Sequence, residues 1–525
     1  MKSDWIHTWV LAVITFIPLV GALVMMVIPK AEEQAHKAVA LVTSVVAFGL
    51  GIWLLTQFDY DRSRALQFVI DKKWIPLIGS RFIMGLDGIS LPLLMLTLFI
   101  MPLVFIYSLN HVPAPGNAKA FFILMLVLET GMIGTFVAQD LILFFVFFEV
   151  VLLPMYFMIG VWGGENRQYA SIKFFLYTLF GSALMILSFL SLYYLVKSPI
   201  TGQAIHTFDM RALSRAGGAG IAHATGLVIF GGMFVGFGIK VPMFPFHTWL
   251  PDAHTQAPTQ GSVILAAVLL KLGTYGFVRI AIPMLPSAAH SWAPAIAILA
   301  TIGIIYGALG CLAQTDMKRL IAFSSVAHMG FVMLGIATLT SFGINAAIFG
   351  MVAHGLITGM LFFIAGSMKE RYHTLEIKRL GGLLISAPKM GWILGFCVMA
   401  SLGLPGLAGF WGEFPAILSA YQPAAGLSIA LFRTCMVIAS VGTVLAAGYL
   451  LWLFQRTAFG NPPEEFADDP HIHDVETPEW LAWTPILVLI VVFGFAPGII
   501  FGITNPAVTA LTRGASAAAR AVVGG

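Results

Sequence analysis

About fourteen apolar runs of membrane-spanning length occupy most of this chain and leave few folds open to it. Roughly 20 consecutive apolar residues cross the hydrocarbon core of a bilayer as an α-helix. The runs lie at roughly 9–28, 38–57, 86–108, 119–138, 140–162, 172–197, 225–246, 256–284, 291–312, 317–338, 341–367, 391–420, 428–455 and 480–503. Only 10% of the 525 residues are charged, against about 25% in soluble domains. The pattern predicts an all-α polytopic membrane protein with about 14 transmembrane helices and no soluble catalytic domain.

Several of these runs carry a single ionisable residue near the middle. The residues are Glu129, Glu149, Lys240, Lys271, His328, His354 and Glu413. A charge at the centre of a span costs on the order of 2.5–3.5 kcal/mol, so this mixture of acids, lysines and imidazoles predicts a relay for protons or other cations. Imidazole suits such a path because it titrates near neutral pH and exchanges protons at two nitrogens.

Glu149 and Lys240 are predicted to lie at similar depth on different spans. The charge of a buried lysine depends on nearby carboxylates, so a movement of Glu149 would load or release a proton on Lys240. A static ion pair that pins two helices is the alternative. Lys271 is too far from either end of its span to reach an interface, and Glu413 is a candidate outlet. Glu129 is a secondary candidate.

Runs seven and twelve are interrupted in similar ways, by GFGIKVPMFP at 236–245 and GLPGLAGFWGEFP at 403–415. Each interruption joins a Gly/Pro break to one ionisable residue, and the two are five spans apart. Paired broken helices at matching positions indicate an inverted repeat with ion sites at the breaks. We therefore predict four units: helices one to three (1–118), a first five-helix repeat (119–284), a second five-helix repeat (285–456), and a connector with helix fourteen and a tail (457–525).

The sequence offers no cofactor or metal site. Cys311, Cys397 and Cys435 are far apart and form no CxxC pair, so a cluster or zinc site is not predicted. His247 and His254 resemble a ligand pair, but Pro251 interrupts the spacing that helical ligands need. We predict instead a hydrogen-bond cluster at the end of a span, in which His247 is a secondary site residue controlling access to Lys240. The basic residues are dispersed and predict no nucleic-acid contact.

Several motifs resemble those of the antiporter-like membrane subunits of respiratory complex I, and the resemblance covers almost the whole chain. The segments are FFE at 147–149, WGGEN at 162–166, KFFLY at 173–177, PFHTWLPDAH at 245–254, DMKR at 316–319, SSVAH at 324–328 and LPG at 404–406. Within the family the chain is most similar to the M-type branch. Glu413 stands where the other branches are expected to carry lysine, and about 22 residues after run fourteen leave no space for a long lateral helix.

The resemblance implies a multi-pass protein of the bacterial inner membrane, with both termini on the periplasmic side. Loop Lys and Arg are divided almost evenly between the two sides and do not decide the orientation. The resemblance further implies proton translocation along Glu149, Lys240, Lys271, His328, His354 and Glu413. NADH, FMN, iron–sulfur clusters and quinone are expected in partner subunits, with two related antiporter-like chains on either side of this one.

Two other functions remain open from the residues alone. One is a subunit of a stand-alone Mrp-type cation/proton antiporter. The other is an assembly scaffold whose buried charges only hold helices together. The scaffold hypothesis predicts that Glu149→Gln reduces the amount of assembled complex, whereas the relay hypothesis predicts normal assembly and lost pumping.

Overall fold

The protein is a helical bundle in which thirteen helices are long and apolar enough to cross a membrane. The computed structural model describes residues 5–466 and 469–523, with side chains described for residues 7–466 and 469–514. The prediction of a polytopic all-α membrane protein is confirmed for this part of the chain. The predicted units 1–118, 119–284, 285–456 and 457–525, and the inverted symmetry between the repeats, stay predictions.

The α-helices follow one another along the described part of the chain, and the hairpin β1–β2 lies between α2 and α3. In chain order they are α1 (Trp5–Val27), α2 (Glu33–Gln57), α3 (Ser90–Ser108), α4 (Ala118–Val137), α5 (Leu141–Val150), α6 (Leu152–Trp162), α7 (Arg167–Leu195), α8 (Met210–Ala216), α9 (His223–Lys240), α10 (Trp249–Gln256), α11 (Thr259–Met284), α12 (Pro286–Leu312), α13 (Met317–Ala337), α14 (Ser341–Tyr372), α15 (Leu383–Ser386), α16 (Pro388–Ser401), α17 (Ala408–Ser419), α18 (Ile429–Ala458), α19 (Thr477–Phe495) and α20 (Gly498–Val523).

Side-chain caps begin several of these helices. Asp140 accepts hydrogen bonds from the first backbone N–H groups of α5, and Asp316 does the same for α13. Thr340 caps α14 and Ser428 caps α18. Such caps satisfy N–H groups that have no partner within the helix, so they define where each apolar run turns helical.

Both interruptions predicted in the apolar runs are present. In run seven, α9 ends at Lys240 and α10 begins only at Trp249. In run twelve, α16 ends at Ser401 and α17 begins at Ala408. Between α16 and α17, Gly403 and Gly406 have φ values of 75° and 94°, which glycine adopts without a steric penalty. Each half of run twelve is too short to cross a membrane alone.

Three helices depart from regular geometry where the sequence analysis expects unbroken spans. Run five is divided at Val151, between α5 and α6. Within α11 the backbone forms π-helix at Leu265–Leu269 and again at Phe277–Ala281. Run fourteen, expected to continue to residue 503, ends at Phe495 because Pro497 cannot continue the helix, and α20 follows as a separate helix.

A two-stranded antiparallel hairpin lies in a stretch that the sequence analysis treats as a polar loop. Strand β1 (Gln67–Ile75) pairs with β2 (Ser80–Leu86), and Gly79 turns the chain between them with a φ of 70°. Asp71 on β1 forms ion pairs with Arg81 and with Arg211 of α8. Partial burial favours the neutral form of Asp71, but the two guanidinium groups outweigh it and lower its pKa.

Candidate functional site

Lys271 and His354 meet in the middle of the bundle. Lys271 is fully buried on α11, two residues after the end of the π-helical stretch Leu265–Leu269. Its ammonium donates to the backbone carbonyl of Ala266 in that stretch and to Nδ1 of His354 at 2.7 Å. π-Helical turns are frequent at functional sites. Here the irregular turn supplies a carbonyl to a lysine that has no carboxylate in direct contact among the described residues.

His328 continues this group toward Glu413. Nδ1 of His328 on α13 lies 2.5 Å from Oε1 of Glu413 on α17. Its Nε2 lies 3.3 Å from the hydroxyls of both Ser401 and Tyr449. The rings of His328 and His354 have centres 5.9 Å apart. Four predicted residues, Lys271, His354, His328 and Glu413, thus form one contiguous group, called the central cluster below.

A small cavity opens inside the central cluster. It has a volume of about 20 Å³, and its polar lining comes from His328, His354, Thr358, Ser401 and Glu413. Two atoms of these residues, Nε2 of His354 and Oε2 of Glu413, are buried without a hydrogen-bond partner in the described structure. The arrangement gathers proton donors and acceptors around one space beside the break in run twelve.

Glu149 and Lys240 lie apart from the central cluster and from direct contact with each other. Ser182 on α7 donates a hydrogen bond to Glu149, which stands near the end of α5, just before the break at Val151. Lys240 is the last residue of α9, and its ammonium lies 5.0 Å from the centre of the Phe148 ring. No ion pair joins the two among the residues described, so the static ion pair considered above is not present in this conformation.

Helices α9 and α11 are in close contact beside Lys240. A Cβ atom added to Gly273 on α11 would lie 3.0 Å from Cβ of Lys240 and 2.6 Å from the carbonyl oxygen of Phe237. Helices α9 and α11 therefore touch through backbone at this point. Within the described part of the chain, no hydrogen bond links Lys240 to the central cluster.

The two secondary candidates stand outside both groups. Glu129 is fully buried on α4, where Ser44 donates to it at 2.9 Å. His247 follows the end of α9, and its ring packs against Phe244 and Tyr306 at 5.6 and 4.8 Å between centres. Neither contacts a member of the central cluster through a hydrogen bond among the described residues.

The predicted hydrogen-bond cluster around His247 and His254 stays a prediction, and the described residues show no direct side-chain hydrogen bond to either imidazole. Nδ1 of His247 and both nitrogens of His254 are buried without partners in the structure as described, and His254 stacks on Phe362 at 4.3 Å. The polar contacts of this segment come from other side chains. Asp252 pairs with Lys173 at 2.7 Å. The His254 ring stacks on Phe362 and the His247 ring stacks on Phe244, so both imidazoles pack against aromatic side chains.

Two polar residues that follow Lys271 on α11, Tyr275 and Arg279, contact neighbouring helices. Arg279 forms a 2.5 Å ion pair with Asp87, before α3. Tyr275 donates to the backbone carbonyl of Phe136 at 2.9 Å. These contacts connect α11 to the start of α3 and to α4. Among the described residues, neither Tyr275 nor Arg279 forms a hydrogen bond with the central cluster.

Sequence reasoning missed the side chains that hold the predicted residues in place: Phe148, Ser182, Ser401 and Tyr449. Ser401 directly precedes the glycine break and could have been suspected from that position. Tyr449 lies 121 residues from His328 in the chain, so nothing in the sequence signals their contact. Across the described residues, no group of three or more His, Cys, Asp and Glu side chains is arranged to hold a metal ion.

Comparisons with known proteins identify the family of this chain. Residues 138–439 match the family described as "NADH:quinone oxidoreductase/Mrp antiporter, TM", and residues 11–135 match "NADH-ubiquinone oxidoreductase chain 4, amino terminus". The fold and the buried ionisable residues therefore define an antiporter-like membrane protein.

Individual relatives show which family of antiporter-like membrane proteins the chain resembles most. NADH-quinone oxidoreductase subunit M of Rhodobacter capsulatus is 42% identical over 508 residues, covering 96% of both chains. The subunit M of Rickettsia felis is 39% identical, covering 96% of this chain and 98% of that one. The chain belongs to the NADH-quinone oxidoreductase subunit M family.

Solved structures show the same architecture. A chain of respiratory complex I from Thermus thermophilus superposes with a TM-score of 0.84 at 27% identity, over 96% of this chain and 99% of that chain. A chain of the Mrp complex from Dietzia sp. DQ12-45-1b has a TM-score of 0.83 over 98% and 99% of the two chains, but at 18% identity this likeness shows the fold alone.

Proposed function

We propose that this chain translocates protons across the membrane as a subunit of an NADH:quinone oxidoreductase, along Glu149, Lys240, Lys271, His354, His328 and Glu413. The central cluster carries the proposal. Its members lie on four different helices, and hydrogen bonds of 2.7 Å between Lys271 and His354 and 2.5 Å between His328 and Glu413 bring each pair within proton-transfer reach. Buried ionisable residues inside a membrane bundle commonly mark proton pathways.

Each residue has a distinct task in this mechanism. Glu149 sets the charge state of Lys240, because an approaching carboxylate stabilises the ammonium and a receding one releases its proton. Lys271 receives the proton once the contact around Gly273 opens. The imidazoles pass it on through their two nitrogens, and Glu413 holds it before release. Glu129 and His247 have secondary roles at the edges of the path.

The redox chemistry belongs to partner chains. The chain has no CxxC pair and no dinucleotide-binding motif, so NADH, FMN, iron–sulfur clusters and quinone would be bound by other subunits. The relatives are named as subunits of a larger oxidoreductase, which supports the presence of partner subunits, and we propose that two related antiporter-like chains flank this one. The bacterial relatives support a location in the bacterial inner membrane.

NADH-driven proton uptake in inverted membrane vesicles tests this function. The variant is Lys240→Ala, with uptake normalised to the amount of assembled complex. Lys72→Ala, which removes an exposed lysine from β1, is the matched control. We expect Lys240→Ala to assemble normally and lose uptake, while Lys72→Ala retains it.

Two other results would point away from the proposal. Normal uptake in Lys240→Ala would make the lysine structural and favour the scaffold hypothesis. Proton movement that requires Na⁺ and proceeds without NADH would favour a stand-alone antiporter.

A further inference from the structure

A second cavity, with a volume of about 510 Å³, opens at the end of the bundle where α3 and α5 begin and α11 ends. Its volume lies within the range of roughly 300–1,000 Å³ that is usual for small-molecule sites. The segment before β1, helix α8 and helix α20 form its other walls. It shares no lining residue with the small cavity of the central cluster, so it is a separate candidate site.

Four arginine side chains line this cavity, which is called the arginine cavity below. Arg64 precedes β1, Arg211 and Arg215 lie on α8, and Arg279 lies on α11. The one carboxylate in the described lining belongs to Asp87, before α3. A cleft lined mainly by one sign of charge concentrates ions of the opposite sign. The arginine cavity therefore attracts anions.

Two of the four guanidinium groups are already paired. Arg279 forms an ion pair with Asp87 at 2.5 Å. Arg211 forms ion pairs with Asp209 at 2.7 Å and with Asp71 at 2.9 Å. Because these contacts satisfy their charges within the chain, Arg211 and Arg279 form the walls of the site and are not its anion ligands.

Arg64 and Arg215 have no carboxylate partner in the part of the chain that the structure describes. Both side chains are exposed, and Nε of Arg215 donates to the backbone carbonyl of Arg211. A guanidinium group carries five N–H donors in a plane that matches the oxygen atoms of a phosphate group. The remaining donors of Arg64 and Arg215 are thus available to a phosphate in the cavity that both side chains line.

Gln139 adds a buried donor to the same cavity. It lies between α4 and α5, lines the arginine cavity, and is only 2% exposed. Its Nε2 is buried without a hydrogen-bond partner among the described residues. A buried polar atom without a partner carries a free-energy penalty, and an anion oxygen beside this amide would remove it.

The position of the arginine cavity points to a lipid as the source of the phosphate. It lies where the spans end, which is the depth of the lipid headgroups. Leu66, Ile89, Met210 and Leu511 give it apolar walls beside the arginines. Basic pockets between membrane helices bind the phosphate groups of lipids. A phospholipid matches both parts of the lining, whereas a free phosphate ion would leave the apolar walls in contact with water.

We propose that the arginine cavity binds the phosphate group of an anionic phospholipid, with Arg64, Arg215 and Gln139 as its hydrogen-bond donors. The start of the acyl chains packs against the apolar walls. The bound lipid joins α8 to the segment before β1 and to α20, which are far apart in the sequence. The inference does not depend on the proposed function, because it concerns lipid binding and not proton transfer.

Lipid titration of the detergent-purified, assembled complex tests the site. Phosphatidylglycerol is the probe, and the variant is Arg64→Gln/Arg215→Gln. The control Arg62→Gln/Arg456→Gln also removes two exposed arginines, neither of which lines the cavity. We expect the lipid to raise the unfolding temperature of the unmodified and control complexes. The double variant should need about 30-fold more lipid for the same rise, because each cation near an anionic lipid contributes about fivefold.

Gln139→Leu tests the buried amide, since it keeps the side-chain volume and removes the N–H donor. We expect the variant to assemble and to need several-fold more phosphatidylglycerol for the same rise in unfolding temperature. An unchanged response to the lipid would overturn the role of Gln139.

Electron cryomicroscopy of the assembled complex identifies the source of the phosphate. In nanodiscs of phosphatidylethanolamine and phosphatidylglycerol, we expect density between Arg64 and Arg215 that continues into acyl chains and is absent from the double variant. An isolated density, with equal stabilisation by inorganic phosphate, would overturn the lipid assignment. A cavity filled by a side chain of another subunit, or equal lipid responses in the double variant and its control, would overturn the site itself.

Discussion

The ammonium of Lys271 donates to Nδ1 of His354 across two helices, at 2.7 Å in the fully buried centre of the bundle. A lysine in such a place is normally paired with a carboxylate, because an isolated buried charge is costly. Here its partners are an imidazole and the backbone carbonyl of Ala266. Because neither partner is charged in its ordinary state, the proton on Lys271 can be given up without breaking an ion pair.

Lys271→Arg should therefore assemble but stop translocation. Arginine keeps the positive charge and hydrogen-bonding capacity, but it does not release its proton in proteins. We expect NADH-driven uptake to fall by about 100-fold, the scale of a lost proton-transfer group. Lys119→Arg is the control, since Lys119 also donates to backbone carbonyls but lies outside the cluster. Equal uptake in both variants would show that Lys271 does not titrate.

Gly412→Ala should displace the helix that carries Glu413. A Cβ atom at Gly412 would lie 2.5 Å from Cα of Gly350 on α14, and backbone cannot rotate away as a side chain can. We expect a loss of about 1–3 kcal/mol of stability, the usual range for overpacking, and reduced uptake. In Gly448→Ala on α18, the new methyl group meets nothing within 4 Å. Thermal unfolding of the two purified complexes measures the difference, and an unchanged midpoint in Gly412→Ala would contradict the packing argument.

Arg371 and Glu479 form a buried ion pair between α14 and α19, at 2.7 Å, with side chains 3% and 0% exposed. Removing one partner leaves an uncompensated buried charge. We expect Arg371→Met to cost about 3–5 kcal/mol and to lower the yield of assembled complex. The double variant Arg371→Met/Glu479→Leu should recover much of that yield, because no charge is stranded. If it were as damaging as the single variant, the loss would be due to packing instead of charge.

The contact of His111 with Glu370, at 2.9 Å, should make local stability depend on pH. Burial favours the neutral ring, but the hydrogen bond and charge of Glu370 outweigh it and raise the pKa of His111. The stabilisation is therefore fully present below about pH 6.5, the value for an unfolded chain, and is lost as pH rises through the raised value. We expect His111→Gln to lower the unfolding temperature at acidic pH and to match the unmodified protein at alkaline pH. A gap that widened with pH would contradict this.

The sequence predicts most of the fold because membrane spans are set by local composition. Run length identifies the helices, and Gly/Pro breaks identify the two interruptions. The hairpin β1–β2 is not predicted by run length, because its residues are too polar for a membrane span. Its strands are stabilised by pairing with each other and by the ion pair between Asp71 and Arg211. The π-helical turns of α11 are not predicted either, because the apolar residues of these stretches are equally compatible with regular α-helix.

The sequence predicts which residues belong to the candidate site, but it does not predict which of them contact each other. Charge in an apolar run identifies Lys271, His354 and Glu413 one by one. Which nitrogen meets which oxygen depends on how α11, α13, α14 and α17 rotate against each other, and that rotation is set by close glycine contacts such as Gly350 with Gly412. The aromatic stacking of His254 is hidden for the same reason.

The closed packing at Gly273 has a consequence for energy conservation. A protein that sits between two compartments at different proton potential would dissipate the difference if its acids and bases formed one unbroken chain. The close contact of α9 with α11 at Gly273 adjoins Lys240, and no hydrogen bond among the described residues continues from Lys240 to Lys271. In the proposed pathway this contact opens for transfer and keeps the two lysines unconnected at rest, so we expect a variant that loosens it to leak protons across the membrane before turnover falls.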